Sequence, residues 1–187
     1  MFYVFLADGF EEAEALVPLD LLRRAGVDVY TVGITGPVVC SSKKIKVFAD
    51  LTPEEISFDQ CEGVMLPGGM PGTENLYRSS FVQDAVSACV SQRKLLCAIC
   101  AAPSVPGRMG LLRGKRAVCF PGFETKLAGA VVCDEPVVKD GMIITAKGAG
   151  CVFPFSHCII SALRDKNTAD RIIKEIQYAP MHEAQEV

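Results

Sequence analysis

Histidine is scarce in this chain, with two among 187 residues, and long apolar runs are missing altogether. So few imidazoles, without a second Cys-x-x-Cys pair, leave a zinc site short of ligands. Without a run of about 18 apolar residues, no transmembrane helix is expected. A basic stripe is missing too. Lys43, Lys44 and Lys46 are too few to make one, and the net charge is −3 with a pI near 5.5. That balance excludes nucleic acid as an obligate partner. The opening Met1-Phe2-Tyr3-Val4-Phe5-Leu6 has no charged leader, long apolar region or cleavage site, so a soluble cytoplasmic protein is expected. Internal repeats, linkers and low-complexity segments are absent as well.

What is present points to a buried sheet. Half of the residues are hydrophobic and the mean hydropathy is +0.29, enough for one domain with a substantial core. Strand and helix signals alternate, with strands at 1–6, 28–33, 63–66 and 95–99 and helices at 11–25 and 80–91. This alternation predicts an α/β sandwich, a mostly parallel central sheet with helices on both faces. Further on, 137–139 and 142–146 flank Asp140-Gly141, a two-residue hairpin signal, and helices follow at about 151–164 and 168–177. The expected domain is 1–178, with 179–187 as a tail.

Nine cysteines, an odd number and scattered, fit reduced thiols better than a disulfide framework. Cys40, Cys89, Cys119, Cys133 and Cys158 stand among apolar neighbours and are expected in the core, whereas Cys61, in a polar stretch, is expected at the surface. Cys97 and Cys100 have redox-pair spacing. Three residues apart on one strand, however, their side chains face opposite ways, which is wrong for a disulfide.

The most informative stretch is Leu95-Leu96-Cys97-Ala98-Ile99-Cys100-Ala101-Ala102-Pro103. An apolar strand delivers Cys100 to the carboxyl edge of the sheet, and residues able to open a helix follow at once. Free N–H groups and the positive end of that helix favour a thiolate. The shape is a nucleophile elbow with Cys in place of Ser. In an open parallel sheet the ligand crevice lies outside the carboxyl ends of the strands, where the loops after residues 6, 66 and 99 should converge.

The first of these loops runs into Asp8-Gly9-Phe10-Glu11-Glu12-Ala13-Glu14. Asp8 and Glu11 have capping-box spacing, and Glu11 and Glu12 suit a first helical turn. Glu14, ahead of the apolar Ala15-Leu16-Val17-Pro18-Leu19, is either a solvated helix acid or a carboxylate turned back toward the elbow. The second loop, Leu66-Pro67-Gly68-Gly69-Met70-Pro71-Gly72, carries paired glycines that could present N–H groups to an oxyanion or simply make a tight turn. It is not a P-loop, since no Gly-Lys-Ser/Thr follows.

Together these segments resemble the ThiJ/PfpI superfamily, most closely its DJ-one subgroup, from residue 1 to about residue 177. The resemblance rests on Phe10-Glu11-Glu12-Ala13-Glu14 with Pro18-Leu19-Asp20, on Arg23-Arg24-Ala25-Gly26, on Leu66-Pro67-Gly68-Gly69, on Ala98-Ile99-Cys100-Ala101-Ala102-Pro103 and on Gly148-Ala149-Gly150. It implies a flavodoxin-like fold, usually a homodimer, with Cys100 as the reactive cysteine and Glu14 as the acid hydrogen-bonded to it. No cofactor or metal is expected. An acid in an apolar pocket beside a thiolate would keep its proton and donate a hydrogen bond to the sulfur. The implied chemistry is glyoxalase or deglycase action on a small reactive carbonyl or glycated substrate. Cys100 would add to the aldehyde, Glu14 would shuttle protons, and backbone N–H groups of Gly68, Gly69 and Ala101 would steady the oxyanion. The alternative is a non-enzymatic role in oxidative stress, as a sensor or redox-regulated chaperone working through Cys100 oxidation.

The chain also departs from the family pattern. Phe120, in Val118-Cys119-Phe120-Pro121-Gly122, stands where many relatives carry a histidine, so this motif supplies no Cys/His pair. Ala101 stands where the peptidase-like branch has histidine, which disfavours peptidase activity. His157 and His182 are at no motif position. Pro106 and Cys151, the latter where relatives commonly have threonine, are smaller departures.

Overall fold

Alternation along the first strand divides the molecule into two apolar layers. Phe2, Val4 and Leu6 enter one core, and Tyr3 and Phe5 enter the other, as the period of two along a pleated strand requires. The structure is a computed structural model, and it describes residues 1–179. In chain order the elements are β1 (Phe2–Leu6), α1 (Glu12–Arg24), β2 (Val29–Gly33), β3 (Val38–Cys40), β4 (Lys46–Phe48), β5 (Gly63–Leu66), α2 (Gly72–Arg78), α3 (Ser80–Ser91), β6 (Leu95–Ile99) and α4 (Ser104–Arg108). They continue with β7 (Arg116–Ala117), β8 (Val131–Val132), β9 (Val137–Asp140), β10 (Ile143–Ala146), α5 (Val152–Leu163) and α6 (Lys166–Glu175).

The central sheet has the order β2-β1-β5-β6-β10-β9. All its pairings are parallel except the last, where β9 runs antiparallel to β10. On one face α1, α5 and α6 bring Leu19, Leu22, Phe155, Ile159 and Ile172 onto Val4, Cys97, Ile99 and Ile144. On the other, α3 brings Val82, Val86 and Cys89 onto Phe5, Val64, Leu66 and Leu96. This is the predicted α/β sandwich of flavodoxin-like form. After β2 the chain crosses back over β1 to β5, so the order reverses between them. The crevice at this switch point lies outside the carboxyl ends of β1, β5 and β6.

Several local expectations are corrected. Ile143 pairs with Asp140, so the hairpin loop is Gly141-Met142 rather than Asp140-Gly141. Gly141 takes a left-handed φ of 62° at the first central position, where a two-residue loop of this kind uses glycine. The α1 cap is Glu11, whose carboxylate accepts the Glu14 N–H at 2.8 Å. Asp8 instead accepts the Cys40 N–H at 2.7 Å and ties the β3–β4 hairpin to the first loop. The last helix starts earlier than predicted because Asp165 accepts the Thr168 N–H at 2.8 Å. The short elements β3, β4, β7, β8 and α2 carry too little periodicity to be read in advance.

The cysteines are redistributed as well. All nine are free. Cys89 and Cys119 are buried as expected. Cys40, Cys133 and Cys158 are only half-buried, because they sit on a small hairpin, just past a two-residue strand and on the outer flank of α5. Cys61, expected at the surface, is 4% exposed. Its thiol donates to the Gly63 carbonyl at 3.4 Å and closes the bottom of the second core.

Phe155 is fully buried between α5 and the sheet. Phe155→Ala should therefore lower unfolding free energy by about 3–5 kcal/mol. In urea denaturation the midpoint should fall with little change in slope.

Candidate active site

Strand β6 ends at Ile99, and Cys100 turns the chain with φ 64°, a left-handed conformation rare for a residue with a Cβ. Such a residue costs on the order of 1–3 kcal/mol and persists only when its surroundings hold it. Here they do. The Cys100 N–H donates to the Ala146 carbonyl at 2.9 Å, and the Cys100 carbonyl accepts the Phe120 N–H at 2.8 Å. Residues after the elbow form a turn in which the Ala102 N–H returns to the Ile99 carbonyl at 3.0 Å. The Ala101 N–H is left to face the Cys100 sulfur, and the Gly69 N–H reaches the sulfur from the neighbouring loop.

The expected helix directly after the cysteine is corrected by this turn. Helix α4 starts only at Ser104 and is five residues long. Pro106 has no N–H to offer the Ala102 carbonyl, which the Val105 N–H takes instead at 2.9 Å. Individual N–H groups therefore address the sulfur, with little from a helix macrodipole.

Glu14 reaches the same point from the opposite loop. The Glu11 cap fixes the first turn of α1, and the Glu14 side chain, 1% exposed, turns inward over the sheet edge. Its Oε2 accepts the Gly68 N–H at 3.0 Å. The carboxyl also accepts the Ala149 N–H and is hydrogen-bonded to Cys100. Gly68 was grouped with the oxyanion donors, and that expectation is corrected: its N–H is already taken by Glu14. A side chain at Gly68 would collide with Glu14 Oε2 and stand 2.7 Å from the Cys100 Cβ. At Gly69, φ is 91° and a Cβ would lie 2.6 Å from the Gly9 carbonyl oxygen. Both glycines are thus required by close approach.

Burial dominates the electrostatics of the pair. It pushes the Glu14 carboxyl up to about 7, against the hydrogen bonds from Cys100, Gly68 and Ala149, which favour the charge. Burial, then the adjacent Glu14 charge, pushes the Cys100 thiol up to about 12, while the Ala101 and Gly69 N–H groups pull it down. The expectation is a thiolate that accepts a hydrogen bond from a protonated acid. The geometry instead gives a coupled pair that loses one proton near neutrality and holds the second far above it. The first proton to leave is that of Glu14, and the carboxylate it leaves behind faces a sulfur that keeps its own.

Residues 2–162 match the model of the DJ-1/PfpI family. The chain belongs to that family. It is 34% identical to dj-1beta of Drosophila melanogaster over 179 residues, covering 94% of this chain and 96% of the fly protein. A DJ-1 superfamily protein of Salmonella typhimurium, solved as a cysteine-to-alanine mutant, superposes with a TM-score of 0.91 at 38% identity, covering 95% of this chain and 98% of the other. Toxoplasma gondii DJ-1, solved oxidised, gives a TM-score of 0.91 at 30% identity, over 96% of this chain and 98% of the other.

Within the DJ-1/PfpI fold, the Phe120 backbone is tied to the elbow while its ring is 47% exposed. A phenyl ring can pass no proton, so Glu14 is left as the titratable partner of Cys100 in this geometry. His157 lies midway along α5 and pairs with Asp170 at 2.7 Å; His182 lies outside the described residues, as does the tail beyond residue 179. Two contributions escaped the sequence reading. Ala149, in the segment Gly148-Ala149-Gly150, supplies an N–H to Glu14. Arg108 makes a forked pair with Glu74, at 3.2 and 2.9 Å, and lies 3.7 Å over the Tyr77 ring. This clamp joins α2 to α4 and so fixes the two loops that carry Gly69 and Ala101. No local spacing signals a pair so far apart in the chain.

A carboxyl whose proton is retained to about 7 in the folded protein, against an ordinary 4.5, stabilises the fold fully only below the unfolded value. That contribution is lost as the pH rises through 7. Glu14→Gln should accordingly become progressively more stable than the parent between these values, by on the order of 3 kcal/mol at the upper end. Urea melts at a series of pH values measure this, and a pH-independent difference would contradict the burial of an ionisable Glu14.

Proposed function

We propose that this protein acts on 2-oxoaldehydes and the groups they glycate, by cofactor-independent glyoxalase- or deglycase-type chemistry at Cys100. The observation that carries the reading is the buried Glu14 carboxyl, poised near 7 and hydrogen-bonded to the Cys100 sulfur. A proton carrier works best with a pKa near the operating pH. The sulfur adds to the aldehyde carbon, an S–C bond forms, and the thiol proton passes through Glu14 to the former carbonyl oxygen. In the resulting hemithioacetal the proton on the former aldehyde carbon moves, by way of an enediol, to the neighbouring carbonyl carbon, which leaves a thioester on the sulfur whose C–S bond water can break. One carbon is oxidised as the next is reduced, so no external electron carrier is needed. Water then releases a 2-hydroxy acid and the thiol. The N–H groups of Gly69 and Ala101 are the donors for the oxyanion. A cytosolic homodimer is the setting in which we place this activity, on the strength of family membership and the unpaired cysteines.

Lactate formation from methylglyoxal tests the proposal. Its kcat/KM should rise as the pH passes through about 7 and vanish in Cys100→Ser, and Glu14→Gln should lower it about a hundredfold or more. A parent rate equal to that of Cys100→Ser would remove the enzymatic reading.

Oxidation sensing is supported by one further observation. Cys100 is half-buried rather than sealed, and the Glu14 carboxyl and two backbone N–H groups surround its sulfur with partners able to hold a sulfinate. Under graded peroxide, mass spectrometry should find two added oxygens on Cys100 before any other cysteine. Equal or earlier oxidation of the half-buried Cys40 would argue against this role.

A further inference from the structure

Beside the Cys100/Glu14 pair the surface opens into an apolar groove of about 430 Å³, walled by Phe120, Pro121, Gly148, Ala149, Gly150 and Cys151. Two of its walls are bonded to the reacting groups. The Phe120 N–H donates to the Cys100 carbonyl at 2.8 Å, and the Ala149 N–H donates to the Glu14 carboxyl. The Phe120 ring is 47% exposed, and neither core cluster includes it. Packing therefore gives no reason for a phenyl ring at this place.

The facing wall is almost bare of side chains. At Gly148 a Cβ would stand 3.3 Å from the Phe120 ring, and at Gly150 it would meet nothing within 4 Å. Gly148 has φ 169°, extended backbone open to any residue, so conformation does not demand the glycine. Its effect is to leave the ring face open. Lys147, on the rim, is paired with Asp134 at 2.5 Å, so the lysine charge at this edge is already met by a carboxylate. An apolar slot with one exposed aromatic face suits a flat or bulky hydrocarbon group, since offset ring contacts add to the gain from burial.

We propose that this groove receives the carbon substituent of the 2-oxoaldehyde, and that Phe120 selects aromatic or bulky apolar substituents over a methyl group. The inference rests on the carbonyl-addition reading above and names its substrate class. The covalent step is unchanged: the sulfur bonds to the aldehyde carbon and the proton ends on the carbonyl oxygen.

The test compares phenylglyoxal with methylglyoxal, each normalised to its rate of addition to free glutathione. Hemithioacetal formation on Cys100 and release of the hydroxy acid are both followed. The parent should favour phenylglyoxal by about tenfold in adduct formation. Phe120→Ala should bring the ratio close to one, mainly through a weaker KM for phenylglyoxal, and Gly148→Val, which fills the groove from the other side, should also reduce it. Equal normalised rates in the parent, or a preference that survives both substitutions, would overturn the proposal. A phenylglyoxal preference in adduct formation with no acid product would sustain the groove while refuting turnover. Methylglyoxal turnover without any preference would do the reverse.

Discussion

The carboxyl edge of this sheet is organised around one hydrogen bond, between the buried Glu14 carboxyl and the Cys100 sulfur. Two anions cannot be tolerated side by side with so little water, and two neutral groups would be inert. The arrangement holds the pair near the point where one proton is lost. Most of the local architecture serves that balance. Glu11 fixes the turn that aims Glu14 inward, Gly68 and Ala149 give its carboxyl N–H donors, and the left-handed turn at Cys100 brings the sulfur over the strand end. Gly68 can have no side chain because the carboxyl and the Cys100 Cβ occupy the space.

The fold was largely legible because its signals are local and strong. All six central strands were placed to within one residue at either end, since each is an apolar run bounded by turn residues. The same holds for α1, α3 and α5. What escaped is informative. The hairpin slipped by one residue because Asp140-Gly141 and Gly141-Met142 both place glycine in the loop, and only cross-strand pairing decides between them. Asp8 satisfied a capping pattern in sequence yet serves the Cys40 N–H, a partner supplied by the β3–β4 hairpin. Cys61 was misjudged because polar neighbours in the chain say nothing about the apolar α3 against which it folds.

The site was legible in part. The elbow, the acidic turn and the paired glycines could be named as segments converging on one edge, and the structure brings Cys100, Glu14, Gly69 and Ala101 together there. How the donors are shared could not be read, because it depends on three loops meeting. Gly68 went to the carboxylate, Ala101 and Gly69 to the sulfur. The substitution of Phe120 for histidine also changes meaning in three dimensions. A phenyl ring carries no proton, and here it sets an open aromatic face beside the nucleophile.

The pair's shared ionisation is most directly measured by difference proton titration of the parent and Glu14→Gln, followed in the folded range from about pH 4 to pH 9. The account predicts that the parent releases one additional proton centred near 7, the value to which burial raises the Glu14 carboxyl. A difference curve centred near the ordinary carboxylate value of about 4.5 would contradict it, because Glu14 would then be a plain anion and no proton carrier for Cys100.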